Sequence, residues 1–227
     1  MKGLIITIAL LIVESNLLFA QETKMLGAGV VFAKDEFKEI SVLNTDGSNY
    51  VKLIQTSGGE IKVSYSQPVQ QSELINSIKA NYPYYYLKHE KYKTPLPRLS
   101  IRAFYTDESV VVFDAVKVNN IYKVFINGSW KIIKQSKGVE YQDWASYMKR
   151  VYVKTNKPHP LYKESNAKST VISDDVEYSY KVLEVKGDWI EVECSQECEG
   201  CPDNKVLRGW IKWKDNNIII IDLFYAC

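Results

Sequence analysis

Apolar and polar residues alternate in short runs along most of this chain, and the runs are separated by glycine, asparagine and aspartate. Gly27 to Ala33 and Lys38 to Leu43 are compact apolar runs. Tyr50 to Thr56 (YVKLIQT) and Glu60 to Tyr65 (EIKVSY) alternate on either side of Gly58 and Gly59. Two glycines between alternating runs predict a hairpin in which both take positive φ. Asp46 and Gly47 supply the turn before it, so the first third reads as a β meander. Leu74, Ile75 and Ile78 are spaced for one apolar stripe on a short helix that Tyr82 and Pro83 would end.

A second β unit runs from about Leu99 to Lys134. SVVVFDAVKV is rich in β-branched residues, and Ile121 to Ile126 is joined to Trp130 to Ile133 through Asn127 and Gly128, a strong short hairpin signal. Tyr141, Trp144 and Met148 recur at i, i+3 and i+7 in VEYQDWASYMKR. That spacing predicts a second helix, within a helical linker over 135–154, and an interdomain hub. Residues 21–134 are thus expected to form a β-rich amino-terminal domain, and 155–227 a compact β module. Within the module, Pro160 to Lys163, Thr170 to Ser173, Tyr180 to Val185, WIEVE, GWIKW and IIIIDLFY are strand candidates, with Gly187 and Asp188 turning the chain before WIEVE. Strands this short and close predict a small barrel or sandwich, so the fold class is mainly β with one or two short helices.

At PLYKES, VLEVKGDWIEVE and RGWIKWKDNN the chain resembles the bacterial SH3-like domain family, in the form found in secreted proteins of Bacteroidetes-like bacteria. The resemblance covers about Thr155 to Cys227. NIYKVFINGSWKII repeats the hairpin pattern, which makes 99–134 a candidate for a second, degenerate SH3-like unit. The resemblance implies a small β barrel used for attachment or recognition, often of cell-wall peptides or glycans, and implies no catalysis by itself.

Strand alternation sharpens that expectation. In DWIEVE, Ile190 and Val192 share one face and point inward, which leaves Trp189 beside Glu191 and Glu193. In GWIKW, Ile211 and Trp213 share a face, which leaves Trp210 with Lys212. Trp189 and Trp210 are therefore ligand-platform candidates, unless the helix around Trp144 or the amino-terminal domain covers them. Tyr84, Tyr85 and Tyr86, beside Tyr82 and followed by Lys88, Lys91 and Lys93, are further candidates; their alternative is to cover a sheet face.

The amino end changes the picture of where the chain works. Met1 and Lys2 precede the apolar run Gly3 to Val13, and LLFA ends at Ala20 before Gln21. That is the layout of a secretory signal peptide over 1–20, and the run is too short to span a bilayer. The expected location is the periplasm or outside, with no transmembrane segment in the mature chain. Cys194, Cys198, Cys201 and Cys227 are then disulfide candidates, because an exported protein meets an oxidising compartment. Sequence does not choose among the three pairings, and a four-thiolate zinc site is the alternative.

Charge and chemistry narrow the class further. A net charge of +2 with 46% hydrophobic residues is ordinary for a globular protein and gives little pull on nucleic acid. His89 lies among charged neighbours and His159 between two prolines, positions that suit solvated side chains better than a catalytic base. No hydrolase, zinc-protease, phosphate-loop or dinucleotide motif appears. The expectation is a non-catalytic binding or scaffold protein of the envelope, without cofactor or metal, whose partner is a cell-wall peptide or glycan or an envelope protein. A purely structural protein with a fixed interdomain interface is the alternative, and an unrecognised hydrolase a more distant one. Oligomeric state is left open.

Overall fold

The computed structural model describes residues 23–79, 99–106, 108–154, 159–174, 178–198, 201 and 206–225. The leader candidate, Tyr82, Tyr84, Tyr85, Tyr86, His89 and Cys227 lie outside them. The chain is mainly β, as its sequence pattern predicts, with two short helices and all strand pairs antiparallel.

The elements are β1 (Thr23–Lys24), β2 (Gly29–Ala33), β3 (Glu39–Leu43), β4 (Asn49–Gln55), β5 (Ile61–Tyr65), α1 (Gln71–Lys79), β6 (Ala103–Tyr105), β7 (Val110–Val118), β8 (Ile121–Ile126) and β9 (Ser129–Lys134). There follow β10 (Val139–Asp143), α2 (Trp144–Met148), β11 (Tyr152–Lys154), β12 (Leu161–Tyr162), β13 (Val171–Ser173), β14 (Ser179–Lys186), β15 (Trp189–Cys194) and β16 (Arg208–Lys212). Short strands β17 (Lys214–Asp215), β18 (Ile218–Ile219) and β19 (Asp222–Phe224) end the order. A nine-stranded sheet has the order β10-β2-β7-β8-β9-β3-β4-β5, with β6 also on β7. A seven-stranded sheet has the order β13-β12-β16-β15-β14-β11-β19, and β1-β18-β17 form a third.

Turn chemistry sets the hairpins. Asn127 and Gly128 both take positive φ (48° and 79°), as the primed β8–β9 turn needs. A Cβ on Gly128 would collide with the Glu73 carbonyl and lie 2.7 Å from the Ser77 nitrogen, so glycine there also lets α1 rest on the turn. Between β4 and β5 the turn differs from expectation, because Gly59 has positive φ (83°) and Gly58 does not. The Gly59 N–H donates to the Thr56 carbonyl at 2.9 Å, closing a type I turn followed by a left-handed glycine. Asn44 to Gly47 repeats this arrangement, with the Gly47 N–H on the Asn44 carbonyl at 2.9 Å.

Two elements depart from the pattern-based reading. Within 135–154 only Trp144–Met148 is helical, because Val139–Asp143 pairs with β2 and Asp143 then caps the helix, its carboxylate accepting from the Ser146 N–H at 2.8 Å. Tyr141 belongs to that strand, where it stacks on Tyr122 with centroids 5.8 Å apart. On α1, Ile75 is exposed and Ser77 buried, so Ile75 does not face inward as its place in the expected stripe requires.

The two sheets share a core. Val31, Phe104, Val111 and Phe113 face one side of the nine-stranded sheet and pack with Leu53 and Ile133. Their neighbours Val30, Phe32, Ala103 and Val112 face the other side and pack with Trp144, Tyr180, Ile190 and Trp213. Helix α2 buries Trp144, Tyr147 and Met148 in that second cluster, whereas Tyr141 packs against the first. β1 adds a strap across the joint by pairing with β18. Below the strap the buried Arg102 guanidinium donates to both Asp114 carboxylate oxygens, at 2.8 and 2.6 Å, and to the Lys24 carbonyl at 2.9 Å. Asp114 in turn accepts from the Leu26 N–H at 2.6 Å.

Candidate functional site

The candidate site is the outer face of β12, β15 and β16. Ile190, Val192 and Ile211 are fully buried and Trp213 is 2% exposed, so alternation turns the intervening residues outward as expected. Trp189 lies opposite Lys212 and Glu191 opposite Trp210 across the β15–β16 ladder. β12 then sets Tyr162 opposite Trp210. The Tyr162 and Trp189 rings meet edge to face, with centroids 5.5 Å apart at 83°. β12 can approach this closely because position 209 is glycine: a Cβ there would lie 2.6 Å from the Tyr162 carbonyl oxygen.

Trp189 and Trp210 are half-buried and belong to neither core cluster. The helix around Trp144 does not cover them; Trp144 packs instead on Trp213, with centroids 6.3 Å apart, and Trp213 donates its indole N–H to the Gly187 carbonyl at 3.1 Å. Tyr162 was not singled out from the sequence. Its signal was available, since it stands in PLYKES on a strand beside GWIKW, but the pairing of those two segments is non-local.

Charges frame the aromatic group. The Arg208 guanidinium grips the Glu191 carboxylate through two hydrogen bonds of 2.9 Å, and that carboxylate raises the Arg208 pKa. Lys212 pairs with Asp215 at 2.9 Å and Lys214 with Asp188 at 3.3 Å. Each pair is exposed on at least one side, so solvent screens it and it adds little to stability. Their consequence is a face on which aromatic surface sits among ordered hydrogen-bonding groups.

At the far end of β15, Cys194 and Cys201 form a disulfide with Cα atoms 5.5 Å apart, and Cys198 is also disulfide-bonded. The Cys194 sulfur accepts from the Leu207 N–H at 3.1 Å. Two of the sulfurs a four-thiolate zinc site would need are therefore joined to each other. Among the described residues no group of three or more metal-ligating side chains is assembled. His159 is half-buried. No helix among the described residues is long and apolar enough to cross a membrane.

A second polar cluster lies under α1. Glu73 accepts from Lys131 at 2.7 Å, Ser129 at 3.0 Å and the Tyr50 hydroxyl at 3.1 Å. Asn127 donates to the hydroxyls of Tyr50 and Tyr65, at 2.9 and 3.0 Å. Burial pushes the Tyr65 phenol up to about 12 and raises that of Tyr50 further. The mutual satisfaction of these groups fits a clasp that seats α1 on the sheet.

No protein-family model matches this chain, and no curated protein or solved structure matches it either.

Proposed function

We propose that this is a non-catalytic exported binding or scaffold protein of the bacterial envelope, whose carboxyl-terminal SH3-like module recognises a cell-wall component or an envelope protein. The observation that carries the reading is the outer face of β12, β15 and β16. Trp189, Trp210 and Tyr162 stand there together, partly exposed, outside both cores and framed by ion pairs. Large aromatic side chains left partly open on a rigid sheet supply contact area at low conformational cost. Export rests on the leader-like first 20 residues, and disulfides at Cys194, Cys201 and Cys198 suit an oxidising compartment.

The test is cosedimentation of the purified protein with purified cell wall. Retention of the wild type, lost in the Trp189→Ala, Trp210→Ala double variant at unchanged melting temperature, is the expected result. The core shared by the two sheets favours one rival, a purely structural protein with a permanently fixed joint. Absence of retention for the folded wild type would favour that rival.

A further inference from the structure

We propose that the groove where the two halves meet binds a short zwitterionic apolar peptide of about dipeptide size. The groove is half open and offers about 220 Å³, below the range of about 300–1,000 Å³ usual for drug-sized ligands. Its apolar walls come from both halves: Phe32 and Val112 from β2 and β7, Tyr147 and Val151 from α2 and the turn after it, and Tyr225 from beyond β19. The joint that brings these walls together is the shared core, so the groove is largely preformed.

Charges of both signs line it. Asp35, just past β2, and Glu108, just before β7, bring carboxylates, and both are exposed. Arg150, just past α2, brings a guanidinium. It sits 4.7 Å above the Phe32 ring, which fixes its position at the wall. Among the described residues it ion-pairs with Glu140 at 3.9 Å, the two side chains being 52% and 37% exposed, so that pair neutralises it only loosely. Tyr147 is 3% exposed and lines the groove, yet its hydroxyl makes no hydrogen bond among the described residues. Burial raises its pKa, so the hydroxyl stays protonated and able to donate.

These groups call for a ligand with an ammonium group for Asp35 and Glu108, a carboxylate for Arg150 and Tyr147, and apolar side chains between them. A peptide of two apolar residues has all three features. The site is separate from the outer face of β12, β15 and β16, and the inference does not depend on that face binding anything.

Calorimetry with the purified protein tests it, using L-leucyl-L-leucine, its N-acetyl derivative and its carboxamide. Saturable binding of the free dipeptide is expected, with each blocked derivative about tenfold weaker, as for loss of one charge-assisted contact. Glu108→Gln should weaken the free dipeptide similarly and add little once its amine is acetylated. Arg150→Met should behave the same way towards the carboxamide. The outer-face double variant Trp189→Ala, Trp210→Ala should bind the dipeptide as the wild type does, which separates failure of this site from failure of that face. Absence of saturable heat with the free dipeptide overturns the proposal. Binding indifferent to both blocked ends and to both substitutions overturns it equally, and the blocked ligands probe the charged contacts without altering the protein.

Discussion

Strands β2 and β15 are of similar length and end in opposite surroundings. On β2, Val30 and Val31 are both fully buried although they face opposite sides of the sheet. On β15, Ile190 and Val192 are fully buried while Trp189, Glu191 and Glu193 between them stay half-buried. β2 and its partner β7 are covered on both faces, by the amino-terminal core and by the core shared with the module. Their sequences, GVVFA and VVVFDAV, accordingly read as nearly unbroken apolar runs. A strand with one open face writes its orientation into its sequence, and a strand without one does not. The same contrast says where a broad recognition face is available, since an alternating strand with one open side turns every second side chain outward.

The doubly covered region is where substitution costs most. Asp114→Ala takes the paired carboxylate away from Arg102, a buried cation 5% exposed that also touches the Lys24 carbonyl and the Trp144 ring, and it strands the Leu26 N–H. Breaking one side of such a pair typically costs about 3–5 kcal/mol, which denaturant titration should register as a large drop in the unfolding midpoint. Replacing both members, as Arg102→Met with Asp114→Leu, should recover most of that loss. A double variant as unstable as the single one would mean that the pair is needed to hold the β1 strap, and not only that it must be kept neutral.

The covalent staple comes next. Replacing Cys194 and Cys201 by serine opens a loop seven residues long in sequence, for which chain entropy gives about 2–3 kcal/mol. Non-reducing peptide mapping should return a Cys194–Cys201 crosslinked peptide and Cys198 in oxidised form; four free thiols in the denatured protein would contradict both.

How much of this was readable beforehand follows the same division. The β8–β9 turn, the β14–β15 turn at Gly187 and the inward set Ile190, Val192, Ile211 and Trp213 were legible because each is written in a few adjacent residues. The place of β2 between β10 and β7 was not, because a continuous apolar run carries no register. Tyr141, Trp144 and Met148 matched a helical period by coincidence, since the sheet claims Val139–Asp143 and leaves five residues to α2. In the candidate site the two tryptophans were legible and Tyr162 was not, since only the non-local β12–β16 pairing brings it there.

Alkaline pH probes the buried phenols, and those of Tyr50 and Tyr65 lie in the amino-terminal half. Tyr65 is pushed up to about 12 by burial, above its ordinary value of 10.0, and Tyr50 shifts the same way. Below pH about 10 both phenols are protonated whether the chain is folded or not, so their contribution to stability is then full. Above it the unfolded chain loses protons that the folded chain retains, and stability falls by up to about 1.4 kcal/mol per pH unit for each group. Tyr65→Phe should make the decline between pH 10 and 12 shallower, as followed by melting temperature; an unchanged slope would mean that Tyr65 ionises freely in the fold.

The smallest effect is expected where the sheet is open. Trp189 and Trp210 lie beside Tyr162 and one another's strands, but neither enters a core cluster, so shortening them leaves no enclosed cavity. The double change to alanine should cost no more than about 1 kcal/mol, against about 3–5 kcal/mol for Trp213→Ala, which empties a site 2% exposed beneath Trp144. All three tryptophans lie on or next to the same strand pair, so the ratio of the two costs measures how differently its two faces are used. Loss of stability in the double variant approaching that of Trp213→Ala would show that the outer face is held as part of the fold. The aromatic group would then be structural, and the recognition surface would have to be sought elsewhere.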